Sequence, residues 1–179
     1  MTLTTRRVFL GVALAFAAAG PALARTRFDE NDLFAHPGIV PWGEEAEDFA
    51  ALSEADWRAR LTPDQFRILR QEGTERPGSS HLNAETRAGL YVCAGCALPL
   101  FSSRTKYDSR TGWPSFWAPL ENAVNTKPDR RLWTPRTEYH CARCGGHQGH
   151  VFDDGPRPTG QRWCNNGLAL NFVARPQGA

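Results

Sequence analysis

The sequence predicts a mainly β fold with short helices confined to its N-terminal side. From Leu90 onward the apolar residues fall in short runs, namely Leu90–Cys93, Leu98–Phe101, Trp133, Thr137–Cys141, His150–Phe152, Arg162–Cys164 and Leu168–Val173. Gly, Pro, Asn and Asp separate them, as they separate strands. No long helical period follows any run, which argues against parallel βαβ units and for an antiparallel sheet or sandwich. The chain repeats itself only in two Cys-x-x-Cys turns, each at the end of such a run.

The helices come first. Ser53-Glu54-Ala55-Asp56 reads as a helix start, with Trp57 and Leu61 on a short apolar face. Thr62-Pro63-Asp64-Gln65 is a stronger one: Thr62 can cap, Pro63 suits the first helical position and Gln65 can close a capping box. Phe66 and Leu69 then share a face, and Gly73 is placed to stop the helix. These helices are expected to cover one end of a sheet and to take no part in chemistry.

Ahead of them, Thr5-Arg6-Arg7 opens a charged start, an Ala-rich apolar run follows from Val8 to Ala19, and Ala22-Leu23-Ala24 matches a small-x-small cleavage site. The run is shorter than the ~20 apolar residues a spanning helix needs. Residues 1–24 therefore read as an export signal resembling the twin-arginine type, with a general secretory signal as the alternative. Residues 25–50, with Pro37-Gly38 and Pro41, read as an arm, residues 51–174 as the catalytic domain and residues 175–179 as a tail. Export would place the protein in the periplasm.

The signal holds two of the 21 Lys and Arg and none of the 19 Asp and Glu, so the remainder is formally neutral. That argues against nucleic acid or an anionic membrane as the main partner. Met1 is the single methionine, so the processed chain would carry none of this easily oxidised side chain. Six Trp and ten Phe are enough for an aromatic-lined pocket beside a core.

Cys93-Ala94-Gly95-Cys96 and Cys141-Ala142-Arg143-Cys144 can present four thiolates to one tetrahedral Zn²⁺. Four protein ligands close the shell, so such a zinc is structural. Two disulfides, or one redox-active pair, are the alternatives; a thioredoxin-like pair needs a βαβ context that is lacking here. Assigning four cysteines to zinc leaves Cys164 alone. A lone cysteine is commonly a small core hydrophobe. Yet His147 and His150 precede it by about one hairpin. A thiol with a nearby acid–base group and a lowered pKa is a nucleophile, and Cys164 is read as one.

At this point the motifs resemble a known family. They are Trp57-Arg58 with Leu61-Thr62-Pro63, Gly73-Thr74-Glu75-Arg76-Pro77, Tyr91-Val92-Cys93-Ala94-Gly95-Cys96, Gly112-Trp113-Pro114-Ser115-Phe116-Trp117, Cys141-Ala142-Arg143-Cys144-Gly145-Gly146-His147 with Gly149-His150-Val151-Phe152, and Arg162-Trp163-Cys164-Asn165-Asn166-Gly167. In that order, from about Ser53 to Phe172, they are similar to the B-type peptide-methionine (R)-S-oxide reductases, the MsrB family. The resemblance implies two antiparallel sheets with a structural zinc held by Cys93, Cys96, Cys141 and Cys144, away from the active site. It implies that Cys164 is the nucleophile and that His147 and His150 lie beside the sulfoxide oxygen. Asn166 would be an active-site asparagine, Asp154 an acid supporting the histidine pair, and Trp113 the ring that holds the substrate's methyl group. The expected partners are oxidised proteins and a thioredoxin-like or other thiol reductant, with the chain itself expected as a monomer.

Three positions depart from the family pattern. Gly78 stands where phenylalanine is common, Gln148 replaces a common leucine between the histidines, which would change the polarity of the pocket, and Thr111 occupies the usual place of a recycling cysteine. A zinc-stabilised binding module without chemistry and a thiol–disulfide oxidoreductase are the competing function classes. The first has no need of His147, His150 and Cys164 together; the second needs one Cys-x-x-Cys pair free of metal.

Overall fold

The computed structural model describes residues 47–131 and 134–175. The export signal, most of the arm, the run at Trp133 and all but the first residue of the tail lie outside the described residues.

Both helix starts are built from their capping boxes. In α1 (Glu54–Arg60) the Asp56 N–H donates to Ser53 Oγ at 3.3 Å while the Ser53 N–H donates to Asp56 Oδ2 at 2.9 Å. In α2 (Pro63–Gln71) Thr62 and Gln65 exchange the same pair of bonds, at 3.2 and 3.1 Å. The stop differs from the expectation. Glu72, not Gly73, takes the left-handed conformation, with φ 54°, and the Gly73 N–H closes the end on the Arg67 carbonyl. Phe66, Ile68 and Leu69 are buried, and α2 packs on the strand carrying both histidines. Arg70 lies 4.6 Å over the Trp57 ring and donates to the Cys144 carbonyl at 2.9 Å. The helices thus cover the cysteine turns.

Among the described residues nine strands form two antiparallel sheets. One has the order β2–β1–β9, from β1 (Gly89–Cys93), β2 (Pro99–Ser102) and β9 (Leu170–Ala174). The other runs β3–β4–β8–β7–β6–β5, from β3 (Lys106–Tyr107), β4 (Ser115–Phe116), β5 (Val124–Asp129), β6 (Arg136–Cys141), β7 (His147–Phe152) and β8 (Arg162–Asn165). An aromatic chain joins the sheets. Phe101 stacks on Phe116 at 4.2 Å, Tyr91 meets Phe116 edge-on at 4.9 Å, and Tyr139 meets Trp163 edge-on at 5.0 Å. All five rings are buried. Each contributes about 1.5–3 kcal/mol from burial, and each pair about 0.5–1.5 kcal/mol more from ring geometry.

The strands that sequence periodicity misses have physical reasons. β5 reads Val-Asn-Thr-Lys-Pro-Asp, polar and with a proline, which only an edge strand tolerates; β5 is the edge. β3 and β4 are two residues each, too short for any period. The run expected at Leu168–Val173 is split, because Gly167–Ala169 form a 3₁₀ turn before β9.

The two cysteine turns are copies of one device. In each, the first cysteine's carbonyl accepts from the residue four on (Ala97 or Gly145), and its N–H donates to the residue five on (Leu98 or Gly146). Each needs a left-handed residue at the fourth place, filled by Gly145 at φ 67° and by Ala97 at φ 59°. Their four thiols lie within 4.8 Å of one another and are buried, with Cys93–Cys144 at 3.6 Å and Cys96–Cys141 at 3.4 Å. Tetrahedral Zn–S bonds of about 2.3 Å place sulfurs about 3.8 Å apart, so the set fits one zinc ion. Hydrogen bonding to Cys141 and Cys144, with burial added, pushes the Cys93 thiol well up. Thiolates at this spacing therefore need a cation to neutralise them.

Ala97→Gly should stabilise the zinc-loaded protein by about 0.5–1 kcal/mol, since the relief of a left-handed alanine exceeds glycine's extra unfolded entropy. A higher urea midpoint at unchanged slope is the expected result; a lower midpoint would remove the strain argument. Structural zinc carries about 10 kcal/mol or more in isolated turn peptides, and less where a core already exists. Verified removal of zinc should therefore lower the melting temperature, as should Cys144→Ser, and an unchanged melt would refute a structural role.

Candidate active site

The chemistry sits on one face of the larger sheet because antiparallel partners directly opposite each other project to the same side. Ser115 pairs with Cys164, Cys164 with His150, His150 with Glu138, and Glu138 with Lys127. These five residues form one row across β4, β8, β7, β6 and β5. The alternate residues Phe116, Trp163 and Tyr139 point the other way, into the aromatic core.

His147 belongs to this face only because of an irregularity. Three residues from His150, it would project to the opposite side of a regular strand. The pairing shifts between Tyr139↔Gly149 and His140↔His147, leaving Gln148 as an extra residue in β7. The bulge restores the phase, and the two imidazole rings lie 5.6 Å apart. Gln148 turns away from the cavity. It is fully buried, donates Nε2 to Cys93 Sγ at 3.5 Å and accepts from Asn165 Nδ2 at 3.3 Å. Its expected effect on pocket polarity is therefore corrected. Gly149 completes the device, because a Cβ there would fall 1.9 Å from the Cys164 carbonyl oxygen.

A cavity of about 110 Å³ opens over the row, lined by Trp113, His150, Phe152, Cys164, Asn166 and Arg136 among others. The aromatic walls are Trp113 and Phe152. Trp113 is held by its indole N–H on the Glu75 carbonyl at 3.2 Å. Asn166 accepts from the Glu75 N–H at 3.0 Å and donates to the Gln148 carbonyl at 2.9 Å. Glu75, buried, also accepts from the N–H groups of Gly167 and Leu168 at 2.7 and 3.0 Å. It thus positions both Trp113 and Asn166, a role that nothing in its sequence spacing signals.

His150 lines the cavity, and its Nε2 lies 2.8 Å from Asp129 Oδ2. His147 lies behind it, with Nδ1 2.9 Å from Glu138 Oε1 and a buried Nε2 that has no hydrogen-bond partner. A carboxylate only accepts, so the proton on each pair sits on the nitrogen facing the acid. The acids supporting the histidines are therefore Asp129 and Glu138. Asp154 does not reach them: it is exposed and pairs with Arg162 at 2.8 and 2.9 Å. Arg162 lies two residues before Cys164 on the same strand face, so Asp154 stands behind Arg162 and not behind the histidines.

The charges are set by burial and partners. The Arg131 backbone and side chain hold the Asp129 carboxyl well below the usual range. Burial pushes the His150 imidazole down, and Arg136 and His147 push the same way against Asp129. Burial also pushes the Cys164 thiol up, opposed by Arg162 and by the Thr111 and Ser115 hydroxyls. The lowered thiol expected for a nucleophile is thus not found: burial drives the Cys164 thiol and the His150 imidazole each toward the uncharged form. The hydroxyls form a chain, Thr111–Ser109 at 2.8 Å and Ser109–Ser115 at 2.7 Å, which the sequence reading missed. Thr111 stands beside Cys164, as the family pattern places that position.

The comparisons agree with this geometry. The SelR domain model matches residues 61–174. The chloroplastic peptide methionine sulfoxide reductase B1 of Arabidopsis thaliana is 51% identical over 131 residues, covering 73% of this chain and 65% of the plant protein. Peptide methionine sulfoxide reductase MsrB of Methanosarcina barkeri is 49% identical over 127 residues, covering 70% of this chain and 89% of its own. The MsrB of Leptospira interrogans is 52% identical over 121 residues, 67% of this chain and 92% of its own. The chain belongs to the SelR-domain family, that of the MsrB peptide methionine sulfoxide reductases.

Proposed function

We propose that the activity of this family, reduction of methionine (R)-sulfoxide in proteins to methionine, runs here through Cys164 as nucleophile and His150 as proton carrier. The observation that supports it most is the pairing of Cys164 with His150 on the floor of an aromatic cavity. Trp113 and Phe152 favour the substrate's apolar methyl group over water, and this sets which sulfoxide epimer presents its oxygen to His150.

The proton balance follows from the resting state. Cys164 gives its proton to His150 as its sulfur attacks the sulfoxide sulfur. The imidazolium, held by Asp129, returns that proton to the sulfoxide oxygen; the oxygen then leaves the substrate sulfur for the Cys164 sulfur, and the transient S–S bond breaks with its electron pair left on the methionine sulfur. Two electrons pass from the Cys164 sulfur to the substrate sulfur. Methionine leaves and Cys164 holds the oxygen as a sulfenic acid. No external proton is needed. Zinc, in the four-cysteine turns beneath β7, would fix the backbone and supply no step.

Recycling has no internal thiol. The four other cysteines belong to the metal cluster, and Thr111 cannot form a disulfide. An external thiol, of the thioredoxin-like class, attacks the sulfenic acid directly. Residues 1–24 direct export, by the twin-arginine route, to the periplasm; folded export would load zinc before the turns meet an oxidising compartment. There the chain works as a monomer on oxidised exported proteins.

With excess dithiothreitol the protein should reduce the R epimer of a blocked methionine sulfoxide and leave the S epimer. Cys164→Ser should abolish turnover while the melt stays near wild type. Wild-type turnover in that variant would sink the nucleophile assignment. Without reductant, the R-sulfoxide should yield about one methionine per chain and a dimedone-reactive Cys164. Thr111→Cys, placed beside the thiol, should capture the sulfenic acid as a disulfide and speed reduction by thioredoxin-like donors. A Cys164 disulfide in the wild-type protein after one turnover, with metal released, would show that a cluster cysteine resolves it instead.

A further inference from the structure

We infer that Glu72, at the C-terminal end of α2 and outside the cavity, is a positioning residue for the reaction: its two oxygens hold the outer ends of both histidine–carboxylate pairs and balance their charge. Glu72 Oε1 meets Lys127 Nζ at 2.6 Å, and Lys127 meets Glu138 Oε2 at 3.2 Å, whose other oxygen holds His147. Glu72 Oε2 meets Arg131 Nη1 at 2.9 Å, and Arg131 Nε meets Asp129 Oδ1 at 3.1 Å, whose other oxygen holds His150. Arg136 adds a second cation on Asp129 Oδ2 at 2.7 Å. Two separate arms, one per histidine, thus end on one carboxylate.

Glu72 is also where the backbone is strained. A left-handed glutamate at φ 54° precedes a glycine that would adopt that conformation freely. Such strain persists where the surroundings over-determine it and clusters at functional positions. Here the strained turn aims one carboxylate at two cations, Lys127 on β5 and Arg131 in the turn after it.

Its effect is electrostatic. Glu72, Asp129 and Glu138 face Lys127, Arg131 and Arg136, three charges against three. The inner acids, Asp129 and Glu138, have side chains only 2% exposed, so solvent does not compensate for a missing partner. Around the histidines stand Arg136, Glu138 and His140 from β6, Lys127 and Asp129 from β5, Arg131 from the turn after β5, Arg162 and Cys164 from β8, and Glu72 from α2. Removing Glu72 leaves this set with one more positive charge, which opposes the transient imidazolium.

The inference rests on the proposed use of the histidines to carry the proton, and the test separates the two. Glu72→Gln keeps the shape and loses the charge. Glu72→Gly loses the carboxylate but suits the left-handed turn, so the helix stop survives. Both should lower kcat about threefold to tenfold on the blocked (R)-sulfoxide, less than loss of a general acid, with KM nearly unchanged. In both, the His150 titration midpoint, followed by side-chain NMR, should fall by about half a unit, and added salt should narrow the gap. Unchanged midpoints, with or without a loss of kcat, would overturn the electrostatic link. Lowered midpoints with unchanged kcat would show that the network exists but the histidines do not limit the reaction, overturning the positioning role through that reading.

Discussion

Antiparallel pairing forces residues opposite each other onto one face of a sheet, and the active surface depends on that rule and on one local exception to it. The rule places Ser115, Cys164, His150, Glu138 and Lys127 in a row that needs no loop to assemble it. The exception, the bulge at Gln148, brings His147 to the same side. Without it His147 would point into the aromatic core, and Glu138 would be left buried with Lys127 alone. The bulge is held from the opposite face. The Gln148 side chain spans Cys93 and Asn165, and its carbonyl takes both the N–H and the amide of Asn166. The cysteine cluster thus touches, through Cys93, the bulge that sets the phase of the strand carrying both histidines.

Burying this many charges is tolerable only because each has its opposite within reach. The acids stand one layer behind the reacting atoms, and the cations one layer further out. Asp129, held far below the usual carboxylate range, contributes stability that is present above its unfolded pKa and is lost only as pH falls through the depressed folded value. Cys164 and His150 are driven the other way, toward their neutral forms, by burial. Charge thus sits on the acids and cations behind the cavity, while burial disfavours it on Cys164 and His150 themselves.

Much of this was legible in the chain. Ser53, Thr62 and Pro63 wrote their helix starts in local chemistry, and the two cysteine turns announced one cluster by identical spacing. Cys164 and His150 follow from the one cysteine left outside the cluster and the histidines a hairpin before it, Asn166 and Trp113 from motif resemblance, and the structure brings all four round one cavity. What could not be read was register. Asp129 and Glu138 are polar residues in strands without clear alternation, so only the pairing of β5, β6 and β7 shows that they, and not Asp154, meet the histidines. Glu75 belongs to one of the motifs, but its N–H and carboxylate meet Asn166, Gly167 and Leu168, more than ninety residues away. Gln148 was judged by its neighbours in sequence, where a bulge sends it to the other face.

The two faces of the larger sheet also differ in how completely they are satisfied. Toward the smaller sheet, aromatic rings interlock and the Tyr139 hydroxyl finds Asn165 at 2.7 Å. On the chemical face, Arg136 Nε, His140 Nδ1 and His147 Nε2 are buried without a hydrogen-bond partner, and the nearby Glu72 holds a strained backbone. Native folds satisfy nearly all buried polar groups, and exceptions concentrate where function needs them. Trp163, Cys164 and Asn165 show how both demands are met in three consecutive residues: the first and third lock into the core while the one between faces the cavity. Stability is built on one side of β8 so that unsatisfied, reactive groups can be kept on the other.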